Sequence, residues 1–332
     1  AVVIFVLAAY LYYLYQKAEE NIIKVSDPVV TSLPSHELAE AKPIGLLLLG
    51  VDTRDETASL NTDVIMAAIF NPKSKTATVV SVPRDSDLNL PGYKSHKANA
   101  FYAGFLSAAR TKEKLKGDEA RKYATGQMKE MMSKFFDVPL DYTAILDFQG
   151  FVDVVDALGG VEVYVDQNMR YWDKADGTDI NLKKGDQKLD GEAALGFVRY
   201  RKSRNNITPE SSDFARNDRQ GRVLGAIIDK LKTFNGVTSL GGVMDAVGNN
   251  MKTDIPKVQI DNMISTYFGI SKKNVRFIGL TGEWKSPFVH LDADKLEEAK
   301  RALQEELRPE GRPLATDSLP EASPGASPQT SG

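Results

Sequence analysis

Residues Ile44 to Leu49 read Ile-Gly-Leu-Leu-Leu-Leu, with no polar residue at any position. Successive side chains of a strand point to opposite faces, so a run without alternation fits only a strand covered on both faces. Whatever forms around it must place helices on two sides. Two further strand-like runs, Thr62 to Phe70 and Thr76 to Val82, follow it, joined through the turn Asn71-Pro72-Lys73-Ser74. Helical periodicity is expected at Lys97–Arg110, Asp118–Phe136 and Phe148–Leu158, with a strand near Tyr142–Leu146. Gly159-Gly160 breaks the third helix, and Val161–Val165 resumes strand. After a polar excursion through Trp172, Asp173 and Asp176, helices are expected at Asp213–Phe234, Leu240–Met251 and Val258–Phe268. A strand at Val275–Leu280 and a helix at Ala293–Leu307 close the series. Strands and helices alternate without segregating. The expected class is therefore α/β: one α-β-α layered domain over residues 44–307 with a central mixed sheet.

The ends of the chain differ from this middle. Ala1 to Tyr15 are all apolar, and at 1.5 Å per residue they span about 22 Å, short of a hydrocarbon core of about 30 Å. Residues 1–16 are therefore expected to be the outer part of a transmembrane helix, truncated at its N-terminal side, with Tyr10, Tyr12, Tyr13 and Tyr15 as an interfacial belt. A signal-peptide core and a buried N-terminal helix are the alternatives. Residues 17–43, punctuated by Pro28, Pro34 and Pro43, read as a linker. At the other end 5 Pro, 4 Ser and 3 Gly make up half of the stretch from Pro309 to Gly332, so residues 308–332 are expected to be a disordered tail.

Composition narrows the chemistry. The 332 residues include no Cys and only three scattered His (His36, His96 and His290), which removes thiolate nucleophiles, disulfides and Cys- or His-based metal clusters. A net charge of -3 argues against a generally basic nucleic-acid binder. The sequence holds no G-x-G-x-x-G, no Walker lysine loop, no G-x-S-x-G elbow and no H-E-x-x-H.

Three constellations remain. Gly50-Val51-Asp52-Thr53-Arg54 leaves the first strand and Asn61-Thr62-Asp63 enters the second. Carboxyl ends of strands border the ligand crevice of an open α/β sheet, and two carboxylates there suit a hard cation such as Mg²⁺; the alternative is a pair of turn or capping residues. Next, Ser81-Val82-Pro83-Arg84-Asp85 leaves Arg84 at the exit of the third strand, while Lys97 and Asn99 open a helix whose free amides favour an anion. Here the alternative is a surface ion pair. Finally, between Phe197 and Arg222 seven basic residues face three acidic ones, a local +4 within a remainder of -7. Arg199 and Arg201 are expected on one face of a strand-like stretch; Asp213, Arg216 and Gln220 share a helical stripe continued by Leu224, Ile227 and Leu231; Arg222 points away as a solvated charge. Converging guanidinium forks suit pyrophosphate. A salt-bridged helix face or an RNA-binding patch are the alternatives.

Together these segments resemble the LytR-CpsA-Psr family of bacterial cell-wall phosphotransferases. The resemblance rests on Leu47-Leu48-Leu49-Gly50-Val51-Asp52-Thr53-Arg54, Thr62-Asp63, Ser81-Val82-Pro83-Arg84-Asp85 and Lys97-Ala98-Asn99-Ala100-Phe101. It continues through Phe148 to Val161, Leu189 to Leu195, Arg199-Tyr200-Arg201-Lys202, and Asp213 to Gln220. It implies one membrane helix followed by an extracytoplasmic domain on the bacterial cell membrane. It also implies transfer of a glycopolymer from a polyprenyl-pyrophosphate carrier to a muramic acid hydroxyl of peptidoglycan, with Mg²⁺ as cofactor and no nucleic-acid partner. Carried over by position, Asp52 and Asp63 hold the metal. Arg84, Arg199, Arg201, Arg216 and Gln220 bind pyrophosphate, with Arg54, Lys97 and Arg219 adding to that set. Asp213 orients the arginines, and Arg84, Asp85, Arg201 and Asp213 form the expected catalytic group. Two departures stand out: Asn61 replaces the arginine that usually precedes Thr-Asp, and Ala98 replaces Ile. A polyprenyl-pyrophosphate hydrolase using the same residues, and a membrane-bound regulator or lipid-binding protein without catalysis, are the rival functions. The lipid chain is expected to lie against aliphatic positions of the sheet and of the Asp213 helix.

Overall fold

The computed structural model describes residues 32–51, 62–174, 177–203, 208, 210–232, 248, 250–267 and 270–312, the side chains of Asp213, Phe214 and Lys232 excepted. The expected membrane run 1–16, linker residues 17–31, and Asp52, Arg54 and Asn61 lie outside the described residues, as do most of the helix expected over 240–251 and the chain beyond 312. Among the described residues no helix is long and apolar enough to cross a membrane.

Strands β1 (Ile44–Val51), β2 (Thr62–Asn71) and β3 (Thr76–Ser81) pair antiparallel, Ile44 opposite Phe70 and Phe70 opposite Ala77. The two-residue β4 (Ser86–Asp87), helices α1 (Phe101–Thr111) and α2 (Gly117–Phe136), and β5 (Tyr142–Asp147) follow. Next come α3 (Phe148–Ala157), β6 (Val161–Val165), β7 (Met169–Asp173), β8 (Thr178–Leu182), β9 (Gly185–Leu189), α4 (Gly191–Arg199) and α5 (Asp213–Lys232). The chain closes with β10 (Met251–Thr253), α6 (Lys257–Tyr267), β11 (Val275–Gly279), β12 (Gly282–Lys285), β13 (Phe288–Leu291) and α7 (Ala293–Glu306). The central sheet has the order β10-β5-β1-β2-β3-β11 and is mixed, β5 lying parallel to β1 and β11 parallel to β3.

The unbroken aliphatic run has the predicted consequence. Leu47, Leu49, Ile65, Ile69 and Val80 pack on one face against α1, α2 and α7, whereas Ile44, Leu46, Ala68 and Val79 pack on the other against α5 and α6. Helix α2 supplies much of the first layer through Ala120, Ala124, Met128, Met131, Met132, Phe135 and Phe136, a helical stripe whose larger members contribute about 1.5–3 kcal/mol each on burial. It stops where Asp137 turns left-handed (φ 55°) and its N–H bonds the Ser133 carbonyl.

A second, smaller core lies beside the sheet. β6 pairs with β9 and β7 with β8, and Val161, Val163, Val165, Met169, Ile180, Leu182 and Leu189 from these short strands pack with Val155, Phe197 and Tyr200. Helix α5 joins the two cores: Leu224 and Ile228 pack toward the sheet, Val223 and Ile227 toward the small strands. The polar excursion after Val165 is thus a pair of two-stranded ladders. Arg199 and Arg201, expected together on a strand-like stretch, instead stand at the last residue of helix α4 and in the loop after it. Asp190 caps that helix, its carboxylate accepting from the Ala193 N–H at 2.9 Å, and Gly191, Ala194, Leu195 and Phe197 form its buried stripe.

The folded part also exceeds the expected limits of 44–307. Within the expected linker, Ala39 is fully buried; its N–H donates to Gln259 Oε1 at 3.0 Å and the Glu40 N–H to Asn262 Oδ1 at 2.8 Å. At the other end Arg312 is buried, its Nε donating to Glu306 Oε2 at 3.1 Å, while Asn71 Nδ2 holds the carbonyls of Glu306 and Arg308, each at 2.8 Å. Packing therefore continues past the composition shift at Pro309, through backbone carbonyls and ion pairs that composition does not register.

Candidate active site

A cavity of about 630 Å³ opens where β3 ends and β2 begins, between the sheet and the small-strand core. From the sheet it is lined by Asp63, Val64, Val82, Pro83 and Arg84; from the other side by Tyr171, Thr178, Ile180, Leu195, Val198, Arg199, Arg201, Arg216, Asn217 and Gln220, among others.

On the sheet wall, β3 runs to Ser81, the Val82 N–H still donates to the Ile65 carbonyl at 2.9 Å, and Pro83 then releases the chain so that Arg84 projects at the strand exit. The Arg84 guanidinium bonds Asp63. Its Nε is buried without a hydrogen-bond partner and faces Asp85 Oδ1 at 4.0 Å. A buried, unsatisfied cationic donor is costly unless an acceptor can reach it, so this position suits an incoming anion. Asp85 is itself buried and gathers three cations: Lys97 Nζ at 2.9 Å, Arg84 at 4.0 Å and Arg201 at 3.7 Å.

The opposite wall is built on α4 and α5. Arg199, the last residue of α4, lays its guanidinium 4.6 Å from the centre of the Phe148 ring and reaches Asp63 Oδ2 at 3.9 Å. Asp63 therefore touches Arg84 from one wall and Arg199 from the other, and Asp85 likewise joins Arg84 to Arg201. These two carboxylates brace the walls together through their charges. From α5, Gln220 Oε1 accepts from the Ser81 hydroxyl at 2.7 Å, fixing the amide at the cavity, and Asn217 Nδ2 donates to the Leu280 carbonyl at 2.6 Å. Asn217 can come this close only because residue 279 is glycine: a Cβ there would fall inside the Asn217 side chain.

The arrangement matches an independent finding. The profile of the LytR_cpsA_psr family matches residues 9–305. The chain belongs to this family. Among its relatives, the polyisoprenyl-teichoic acid–peptidoglycan teichoic acid transferase TagT of Bacillus subtilis is 33% identical over 276 residues, 79% of this chain and 76% of TagT. The crystal structure of B. subtilis TagV shares 27% identity and superposes with a TM-score of 0.60, covering 82% of this chain and 99% of that one. A structure of TagT with bound octaprenyl pyrophosphate lipid gives 26% identity and a TM-score of 0.54, covering 84% and 94%.

Asp63, Arg84, Arg199, Arg201, Arg216 and Gln220 line one cavity. Asp52 and Arg54 lie outside the described residues, and so does the side chain of Asp213, although its backbone opens α5. Lys97 stands behind the cavity on Asp85, and the amides that open its helix do not face an anion: the Asn99 N–H donates to the Arg84 carbonyl at 2.9 Å. The segment braces Arg84. Asp85 does not line the cavity either, and acts through the cations it holds.

Arg219 is a clear correction. It is wholly buried, bonded to both oxygens of Asp166 at 2.7 and 2.6 Å and to the Tyr200 carbonyl at 3.2 Å, with the Phe197 and Tyr200 rings 5.7 and 5.8 Å from its guanidinium carbon. It fixes Tyr200, the residue between Arg199 and Arg201, and binds nothing in the cavity. Arg222 is no solvated charge: it donates to the Tyr164 carbonyl at 2.9 Å and pairs with Asp218 at 2.7 Å. The apolar lining also differs from expectation, because Leu195, Val198 and Ile180 supply it alongside Val64 and Val82, while α5 contributes Arg216, Asn217 and Gln220. Phe148, Asn217 and Tyr171 were not anticipated as site residues. Two of them lie in segments of the family resemblance, Asn217 one residue after Arg216 in the Asp213–Gln220 motif and Phe148 at the start of Phe148–Val161, but only the fold brings Phe148 under Arg199.

Proposed function

We propose that this protein transfers a glycopolymer from a polyprenyl-pyrophosphate carrier to a muramic acid hydroxyl of peptidoglycan, releasing polyprenyl phosphate. The observation that carries the reading is the convergence of Arg84, Arg199, Arg201 and Arg216, from two separate walls, on one cavity that also has an aliphatic lining. Guanidinium forks match pyrophosphate oxygens, and Val64, Val82, Ile180, Leu195 and Val198 offer an apolar surface to a prenyl chain. The TagT name and its octaprenyl pyrophosphate complex agree with both halves of this assignment.

In the proposed reaction the acceptor hydroxyl oxygen bonds to the phosphorus that carries the sugar, and the bond from that phosphorus to the bridging oxygen breaks. The electron pair leaves on polyprenyl phosphate, and the hydroxyl proton is lost to solvent. Phosphoryl transfer asks the protein for positioning and charge stabilisation more than for a covalent nucleophile. Arg84, with its buried unsatisfied Nε, and Arg199 and Arg201, held by Asp63 and Asp85, meet that requirement. Mg²⁺ is part of the proposal. Asp63 is a cavity-lining carboxylate, and such an ion needs only one or two protein carboxylates beside substrate phosphates and water. Asp63, together with Asp52, would hold it, and when bound it would neutralise charge on the pyrophosphate. Anchoring by residues 1–16, with the domain on the extracytoplasmic side of the cell membrane, completes the reading.

The test is incubation of the protein with a lipid-linked oligosaccharide, peptidoglycan fragments and Mg²⁺, followed by mass spectrometry. A phosphodiester adduct is expected, with its rate reduced about 10²–10³-fold in Arg84→Ala and in Arg201→Ala. Free sugar phosphate without adduct would replace transfer by hydrolysis, and bound lipid with neither product would leave a lipid-binding protein.

A further inference from the structure

The hairpin β12–β13 is unused by the site described above, yet it is fastened to it. β13 runs parallel to β4, and the Val289 N–H donates to the Asp85 carbonyl at 2.9 Å, so the hairpin is hydrogen-bonded to the backbone of the residue that gathers Lys97, Arg84 and Arg201. On β12, Trp284 is 52% exposed. Its ring is held in place: Lys97 Nζ lies 5.3 Å from the ring centre and, at the same time, 2.9 Å from Asp85 Oδ1. A single ammonium thus ties an exposed indole to the cation cluster at the cavity.

We propose that Trp284 is a stacking platform for a sugar ring of the acceptor glycan. The inference rests on the transferase reading and adds to it the place where the acceptor docks. The surroundings of the ring select the class of ligand. Trp284 is the one exposed large apolar side chain of the hairpin, with the Lys97 ammonium against its ring, while strand alternation turns the Glu283–Lys285 pair and the exposed His290 to the other face. A protein partner would need a contiguous apolar patch, whereas a single exposed aromatic face beside an ammonium matches a pyranose, which has one C–H face and hydroxyls around its edge. Trp284 and Lys97 are absent from the cavity lining, so the platform lies outside the volume the donor occupies and on the Asp85 side of it.

The experiment exploits the fact that the chain has two tryptophans. In the full chain carrying Trp172→Phe, intrinsic fluorescence reports Trp284 alone, and titration with a soluble muramic-acid-containing oligosaccharide is expected to change it saturably. In the otherwise unaltered chain, Trp284→Ala is expected to raise the acceptor KM about 3- to 10-fold while the donor KM stays unchanged, and Trp284→Phe to restore most of the loss. Adduct formation by the parent chain with an unaltered acceptor KM in Trp284→Ala would overturn the platform while leaving the transferase standing. A rise in the donor KM instead would overturn it by assigning the ring to the donor. Saturable quenching of Trp284 by the oligosaccharide supports the platform even where no adduct forms, a result that would count against the transferase alone.

Discussion

Asp63 stands on the ten-residue β2 and Arg84 just past the end of the six-residue β3, in a sheet whose two faces are sealed by aliphatic side chains, so their positions are set by backbone register and hydrophobic burial. Arg199 and Arg201, across the cavity, stand on a helix end and the loop after it, beside two ladders of five residues per strand. What fixes Tyr200 between them is the buried Arg219–Asp166 pair. One wall is thus held by many weak apolar contacts and the other by a few strong polar ones. The first kind of support degrades gradually under substitution; the second fails at single residues.

That contrast can be broken most directly at Arg219. Arg219→Ala is expected to cost about 3–5 kcal/mol of unfolding free energy in urea, because it leaves Asp166 unpaired and a guanidinium-sized void between two rings. Arg84→Ala, which removes a side chain about a third exposed and leaves Asp63 with Arg199 and Asp85 with Lys97, is expected to change stability by about 1 kcal/mol or less while abolishing most transfer. Equal losses of stability in the two variants would refute the distinction between the walls. A smaller effect is expected at the join between them. Gly279→Ala forces Asn217, and with it α5, away from the sheet, at about 1–3 kcal/mol, and should displace Gln220 from Ser81. A thermal midpoint and donor KM unchanged from the parent would show that α5 does not depend on that close approach. The smallest effect belongs to Phe148→Leu, which keeps the packing volume but removes the ring under Arg199. A loss of about 0.5–1 kcal/mol, seen as a 2- to 5-fold rise in donor KM with stability preserved, is expected.

The same contrast explains which parts could be read from residues alone. The run at Ile44–Leu49, the α2 stripe from Ala120 to Phe136 and the exit at Pro83 each carry their structural meaning locally, in periodicity or in backbone chemistry, and they set the sheet, its covering helices and the sheet wall of the cavity. Short strands such as β7 and β8 offer only one and two buried positions, too few for alternation to stand out from a polar loop. Arg219 was misread for a different reason. An arginine at helical spacing from Arg216 has the same appearance whether its fork meets a ligand or Asp166, 53 residues earlier in the chain. Only the packing of β6 against α5 decides. Arg199 and Arg201 show the same limit, since their spacing of two suits a strand as well as a helix end followed by a loop, while the Asp190 cap lies nine residues before Arg199.

The register of the first two strands has a consequence for how the domain can sit at a surface. Ile44 pairs with Phe70 at one end of the sheet, and Asn71, one residue on, grips the segment after α7, so the polypeptide enters and leaves the described domain at the same end. The cavity mouth is at the other, about 23 Å away along β1. In the membrane-anchored reading, a domain standing upright on its tether would lift the mouth clear of the bilayer that holds the prenyl carrier. The 15 residues from 17 to 31 can extend to no more than about 54 Å, longer than that separation along β1. In the same reading this span would bound the radius within which one anchored molecule could work, from carriers in the membrane to glycan strands just above it.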